Sequence, residues 1–220
     1  MATSDPPLSS AASYADMTVP DLLDAFASNE PVPGGGSAAA LAGAVGASLL
    51  IMVAGISRTR TGTPEEAADL AEAAARLRPI RDTLASLIQQ DSDAYSAVLE
   101  ATRLPKGTDA EKRDRSTAIE AAMRQATDVP LETMRCCQQA LRGAVVVAAN
   151  GNRNAATDTA AGVELLSAAL RSAGLNVDVN LDSVSDSAFA SRVAEERSEL
   201  AEDAETDARH ALEELGFRRP

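Results

Sequence analysis

Acid–base chemistry has few conventional agents in this chain. It has one histidine, His210. It lies in a highly charged C-terminal stretch and reads as a solvated surface residue, which argues against a Ser–His–Asp or Cys–His site. Proton transfer then falls to carboxylates, lysines or bound water. The two cysteines, Cys136 and Cys137, are adjacent. Neighbouring cysteines do not readily bridge each other, so they read as two small buried hydrophobes in a reduced, cytoplasmic setting. The other chemical signal is a triple glycine, Gly34–Gly35–Gly36, followed by Ser37 and a long uncharged run. No Gly-Lys-Ser/Thr follows and no strand precedes it, so neither a P-loop nor a dinucleotide fingerprint is present. Two readings stay open: a flexible loop before a helix, or bare backbone whose N–H groups approach a ligand at a helix N-terminus.

The elements that must hold such a loop are helical. Aromatic residues make up 2% of the chain and Trp is missing, yet 45% of residues are apolar, largely Ala, Leu and Val. Alanine combines high helix propensity with small volume, which favours an all-α bundle of closely packed, long, partly kinked helices. The net charge of −13 disfavours general nucleic-acid binding, which draws its affinity from neutralising phosphates. Residues 38–56 are long enough to span a bilayer. They are, however, rich in Ala and Gly, and Ala39, Gly43 and Ala47 recur at i, i+4 spacing. The reading is a buried helix at a bundle centre or subunit interface, with Ser37 near its N-cap and no membrane partner.

Boundaries follow from caps and breakers. Thr18 caps a short helix from Val19 to about Ser28. Thr63, Pro64 and Glu66 form a capping-box pattern opening a helix to about Arg103, with Pro79 as a kink or break; Thr108 and Glu111 repeat the pattern. Pro130 marks another kink or break, and "NGNRN" a turn. Gly174 reads as the C-cap of a helix from about Ala155. "NVDVNLDSVSD" alternates like a strand but is assigned to helix, because no other strand offers itself as a partner. A charged amphipathic helix closes the chain at Gly216. The organisation expected is a flexible tail over 1–17 and one domain over 18–216.

Four ordered blocks carry a resemblance. "PVPGGGSAAALAGAVGASL" resembles the glycine-rich signature of the formiminotransferase-cyclodeaminase C-terminal family. "DSDAYSAVLEATRLPKGTDAEKRDRSTAIEAAMRQATDVPL" resembles its Asp–aromatic–Leu-Pro-Lys block, downstream Arg and Val-Pro-Leu. "NGNRNAATD" resembles its Gly-Asn-x-Asn turn, and "NVDVNLDSVSDSAF" its late Asn-Val-x-x-Asn segment. The family implies a homodimer and a tetrahydrofolate ligand, with no metal and no cofactor beyond that substrate. The expected activity is hydrolysis of 5,10-methenyltetrahydrofolate to 10-formyltetrahydrofolate. The alternatives are formiminotetrahydrofolate cyclodeamination or folate binding without catalysis. At 220 residues the chain is expected to stand alone, without an attached formiminotransferase domain.

The resemblance also assigns residues. Asp91 and Asp158 match the family's two aspartates and are the candidates for the base that activates water; for both, surface or helix-capping roles stand beside that reading. Lys106 would hold the tail carboxylate or the intermediate, or is an exposed turn lysine. Arg115 would pair with a carboxylate, or bridges neighbouring helices. Gly34, Gly35, Gly36 and Ser37 would line the ligand. Asn152, Asn154, Asn176 and Asn180 would hydrogen-bond the pterin or satisfy local backbone. Relatives often carry lysines and a tyrosine after the glycine-led helix. Here Arg58 and Arg60 keep the charge without lysine's adjustable pKa.

Overall fold

The computed structural model describes residues 13–217. Among them are six α-helices and no strand: α1 (Val19–Ala27), α2 (Gly35–Ala54), α3 (Pro64–Arg103), α4 (Asp109–Asn150), α5 (Ala156–Leu181) and α6 (Ser187–Glu214). Short 3-10 turns occupy Tyr14–Asp16 and Arg153–Ala155. Most of the expected tail, residues 1–12, lies outside the described residues. Tyr14, however, is docked on α3, its N–H donating to Gln89 Oε1 at 3.3 Å.

The glycine-led helix is central. α2 packs on α3, α4 and α5, and Ala39, Ala40, Ala47, Leu50 and Val53 are almost wholly buried. Small residues let these backbones approach. A β-carbon on Gly46 would stand 2.9 Å from the Gly162 carbonyl oxygen, and one on Gly162 would stand 3.0 Å from that of Gly46. α2 and α5 therefore cross glycine on glycine. Gly43 meets Cys137 Sγ and Leu84 in the same way. α2 is long and apolar enough to cross a bilayer, but more than half of that stretch is buried inside the protein. The N-cap, Gly34, lies three residues before Ser37, which sits inside the first turn, and it offers no side-chain hydrogen bond.

Of the kink or break expected at each proline, the break does not occur. α3 runs 40 residues through Pro79, and α4 runs 42 residues through Pro130. A mid-helix proline removes the hydrogen bond to the carbonyl four residues back. For Pro130 that carbonyl belongs to Ala126, and Asn180 Nδ2 of α5 donates to it at 2.7 Å. A side chain from another helix thus replaces the missing N–H.

Caps explain the other boundaries. Thr108 and Glu111 form a complete capping box. Thr63 caps α3, but Glu66 does not return to it. The Glu66 carboxylate accepts from Thr59 Oγ1 and from the N–H groups of Thr61 and Gly62, which holds its pKa down to about 2. Gly174 does not end α5, which continues to Leu181. It is a packing glycine: the Arg197 guanidinium of α6 stands 3.4 Å from where its β-carbon would be. Gly216, at φ +82°, does terminate α6. Gly216 N–H donates to Glu213 O and Phe217 N–H to Leu212 O, the paired bonds of a Schellman motif. Arg135, paired with Glu196 at 2.6 Å, ties α4 to α6.

Candidate active site

The glycine-rich start of α2 lies against the middle of α3. Ser37 is fully buried, and its Oγ lies 2.9 Å from Asp91 Oδ2, 3.0 Å from the Ile88 carbonyl oxygen and 3.2 Å from Ser92 Oγ. Gly36 faces the same carboxylate. A β-carbon there would stand 2.1 Å from Asp91 Oδ1, so any larger residue would displace the aspartate. The α2 N-terminus has N–H donors without acceptors from its own chain turn, and its N-cap residue supplies none. Asp91 supplies charge to that end across the helix interface.

Two opposed effects set the protonation of Asp91. Burial disfavours the carboxylate and raises its pKa above the ordinary 3.8. The hydroxyl and N–H of Ser37 favour the carboxylate and pull the other way, with burial the larger influence. A carboxyl raised in this manner is suited to take a proton and later return it. Ser92 was not singled out from the sequence. Its hydroxyl can donate into Ser37 Oγ, which leaves the Ser37 proton for Ile88 O or Asp91. The serine directly after Asp91 is the only sequence signal of that role.

The remaining candidates lie elsewhere. Gly46 packs on Gly162, and Gly151, just before α5, packs on Val53 near the end of α2; α5 therefore runs antiparallel along α2, and Asp158 stands about 20 Å from Asp91 at 1.5 Å per residue. Asp158 is half-buried in the first turn of α5. Asn152 and Asn154 are at that end too, Asn152 Oδ1 accepting from Asn154 N–H at 2.9 Å. Arg60 is committed there: its Nη1 donates to Ala149 O at 3.0 Å and its N–H to Asn150 O at 2.8 Å, closing the last turn of α4. Arg58 is exposed. Lys106 is exposed on the α3–α4 connection, beyond Arg103, about 18 Å along α3 from Asp91. Arg115 donates through Nε and Nη2 to Thr102 O at 3.1 and 2.9 Å, bridging α4 to the end of α3. Asn176 Nδ2 donates to Ser172 O within α5, and Asn180 serves the Pro130 gap. One chain thus assembles Gly34–Ser37 with Asp91. It leaves Asp158, Asn152 and Asn154 at the far end of α2, and Lys106 and Arg115 at the hairpin end of α3.

Burial pushes the Cys136 thiol up to about 12 and Cys137 higher still. Both behave as core hydrophobes.

A six-helix bundle with a glycine-led central helix clasping a half-buried aspartate defines a class. The family model of formiminotransferase-cyclodeaminase matches residues 18–199, and the chain belongs to that family. It is 44% identical over 188 residues to a methenyltetrahydrofolate cyclohydrolase of Methylorubrum extorquens, covering 84% of this chain and 89% of that one. It is 32% identical over 194 residues to the formimidoyltransferase-cyclodeaminase of Sus scrofa, covering 87% of this chain but 35% of that protein. The crystal structure of a formiminotetrahydrofolate cyclodeaminase from Thermotoga maritima superposes with a TM-score of 0.82 at 24% identity, covering 91% of this chain and 96% of that one, and establishes the shared fold.

Proposed function

We propose that this chain is a methenyltetrahydrofolate cyclohydrolase, converting 5,10-methenyltetrahydrofolate to 10-formyltetrahydrofolate. The observation that carries the reading is the Asp91 carboxylate, half-buried against Gly36 and Ser37. The substrate carbon bridges two nitrogens as a cationic amidinium, and a carboxylate suits both that charge and the proton to be removed. Water adds to the carbon and its proton passes to Asp91, giving a neutral tetrahedral adduct. The bond from carbon to N5 then breaks, N5 takes the proton from Asp91, and the adduct hydroxyl loses its proton as the formyl C=O forms. One proton is released per turnover. The N–H groups of Gly35 and Gly36 would face the oxygen as it gains charge. The reaction is redox-neutral and is proposed to use no cofactor besides its folate substrate.

Cyclodeaminase activity is the second reading, favoured by one observation. A departing amine needs a general acid, and burial makes Asp91 a better one than an ordinary aspartate. The deciding experiment follows loss of methenyltetrahydrofolate absorbance alongside ammonia release from 5-formiminotetrahydrofolate. Methenyl hydrolysis without ammonia is expected. Ammonia alone hands the case to the deaminase, and folate binding without either leaves a non-catalytic binder.

A homodimer, and a cytoplasmic setting consistent with the two unpaired cysteines, are part of this proposal. Support for the dimer comes from α2. Val45 and Met52 remain 45% and 47% exposed, and Ala38 is exposed on the same stripe. If a two-fold axis crosses this stripe, the two α2 helices run antiparallel. The Gly34–Asp91 end of one protomer then meets the partner subunit's Asp158, joining groups that one chain keeps apart.

A further inference from the structure

We propose that Tyr95 is the platform on which the aminobenzoyl ring of the reduced folate stacks, with the distal part of α3 leading the carboxylate tail to Lys106. This deepens the folate reading above and rests on it.

Aromatic rings are scarce: two Tyr, three Phe and no Trp in 220 residues. Phe189 is buried and flanked by the Arg124 and Arg192 guanidinium groups, and Tyr14 packs against the core. Tyr95 differs. It sits within a regular helix, 43% exposed. Phe217 is comparably exposed, at 40%, but lies past the end of α6, so exposure alone does not single out Tyr95.

Its position says what would cover it. Tyr95 is four residues beyond Asp91, so the two share one face of α3 about 6 Å apart along the axis. α2 begins at Gly35, beside Asp91. Past that point α3 outruns the helix that covered it, while α4 still flanks it. Val98 and Leu99 continue this part of α3 half-buried, and Leu104 is 40% exposed at its end. The result is an apolar shelf starting at the candidate base.

The ligand's covalent structure fits that order. The aminobenzoyl ring is bonded to the nitrogen that carries the reacting carbon. A carbon placed at Asp91 therefore keeps the ring within about one helical turn of it, a distance that Tyr95 satisfies. The tail points onward, and the shelf ends in positive charge. Residues 103–115 hold five cations (Arg103, Lys106, Lys112, Arg113, Arg115) and three carboxylates, in a chain of net charge −13. Lys112 is paired with Asp109 at 3.0 Å and Arg115 is occupied with Thr102 O. Lys106, exposed, is the lysine placed to meet a carboxylate arriving along α3.

The test is calorimetric titration of folinic acid (5-formyltetrahydrofolate) into native protein and the Tyr95→Ala, Tyr95→Leu, Tyr95→Phe and Lys106→Met variants. Tyr95→Ala and Tyr95→Leu should each weaken binding about tenfold, the scale of one lost ring-stacking contact. Tyr95→Phe should bind as the native protein does, and Lys106→Met should bind more weakly. Tyr95→Leu keeps bulk and helix propensity, so it decides the matter if Tyr95→Ala folds poorly. Native-like binding by Tyr95→Leu overturns the platform while leaving the folate reading intact. Equal loss in Tyr95→Phe overturns it as well, because the hydroxyl would then be the contact. Native protein that binds no folinic acid overturns the folate reading and this inference together.

Discussion

Gly36 and Asp91 are in such close apposition that a β-carbon on the glycine would stand 2.1 Å from the aspartate Oδ1. The glycine is required by space, since its backbone is ordinary helix. Gly36→Ala should push the carboxylate off the Ser37 hydroxyl. Misplacement of a catalytic group by an ångström costs roughly a hundredfold in rate. The expected outcome is a kcat loss of that order, read from methenyl absorbance. Native-like kcat in Gly36→Ala would mean that the position of Asp91 does not matter.

Asp91 itself gives a signed pH prediction. Burial raises its folded-state pKa above 3.8, so the unfolded chain ionises first as pH rises. Stability contributed by the neutral acid is present below 3.8 and is lost as pH rises through the folded value. Asp91→Asn should therefore be at least as stable as native protein at pH 7, with the difference shrinking below pH 3.8 in urea unfolding. It should also lose roughly a hundredfold in rate if Asp91 is the base. The acid limb of the native kcat/KM profile, which reports the free enzyme, should lie above pH 3.8. A variant that is less stable at pH 7 yet fully active would reverse both assignments.

Asn180 and Pro130 form a separable pair. Asn180→Ala leaves the Ala126 carbonyl without its donor and should cost about 1–3 kcal/mol. In a Pro130→Ala background the helix regains its own N–H at that position, so the same substitution should cost much less. A double-mutant cycle by urea unfolding measures the coupling. Additive effects would show that the two residues do not compensate each other.

That pair also explains what could be read from the sequence. The starts of α3 and α4 were legible because Thr63 and Thr108 act on their own neighbours. The continuity of α4 was not, because the group that bridges the Pro130 gap arrives from 54 residues away. Gly174 looked like a stop because its packing partner, Arg197, belongs to another helix. At the site, glycine loop and aspartate were each legible as motifs, and their separation of about 55 positions hid that one exists to admit the other. Four asparagines looked alike in sequence. The contacts divide them between a proline gap, a 3-10 turn and a helix carbonyl.

The last prediction concerns the two aspartates that one chain keeps about 20 Å apart. If an antiparallel pairing across α2 joins them, each site takes Asp91 from one protomer and Asp158 from its partner. Asp91→Asn and Asp158→Asn proteins should then each be inactive as homodimers. In a mixed dimer, one site carries both substitutions and the other carries neither. Random exchange makes half the dimers mixed, so mixing the two inactive proteins should restore about a quarter of native activity. Val45→Glu together with Met52→Glu puts charge into the exposed stripe and should give a monomer by sedimentation, with the restored activity abolished. A site contained within one chain would show no restoration on mixing. Full activity in Asp158→Asn alone would remove that residue from the reaction and leave Asp91 to carry the proton unaided.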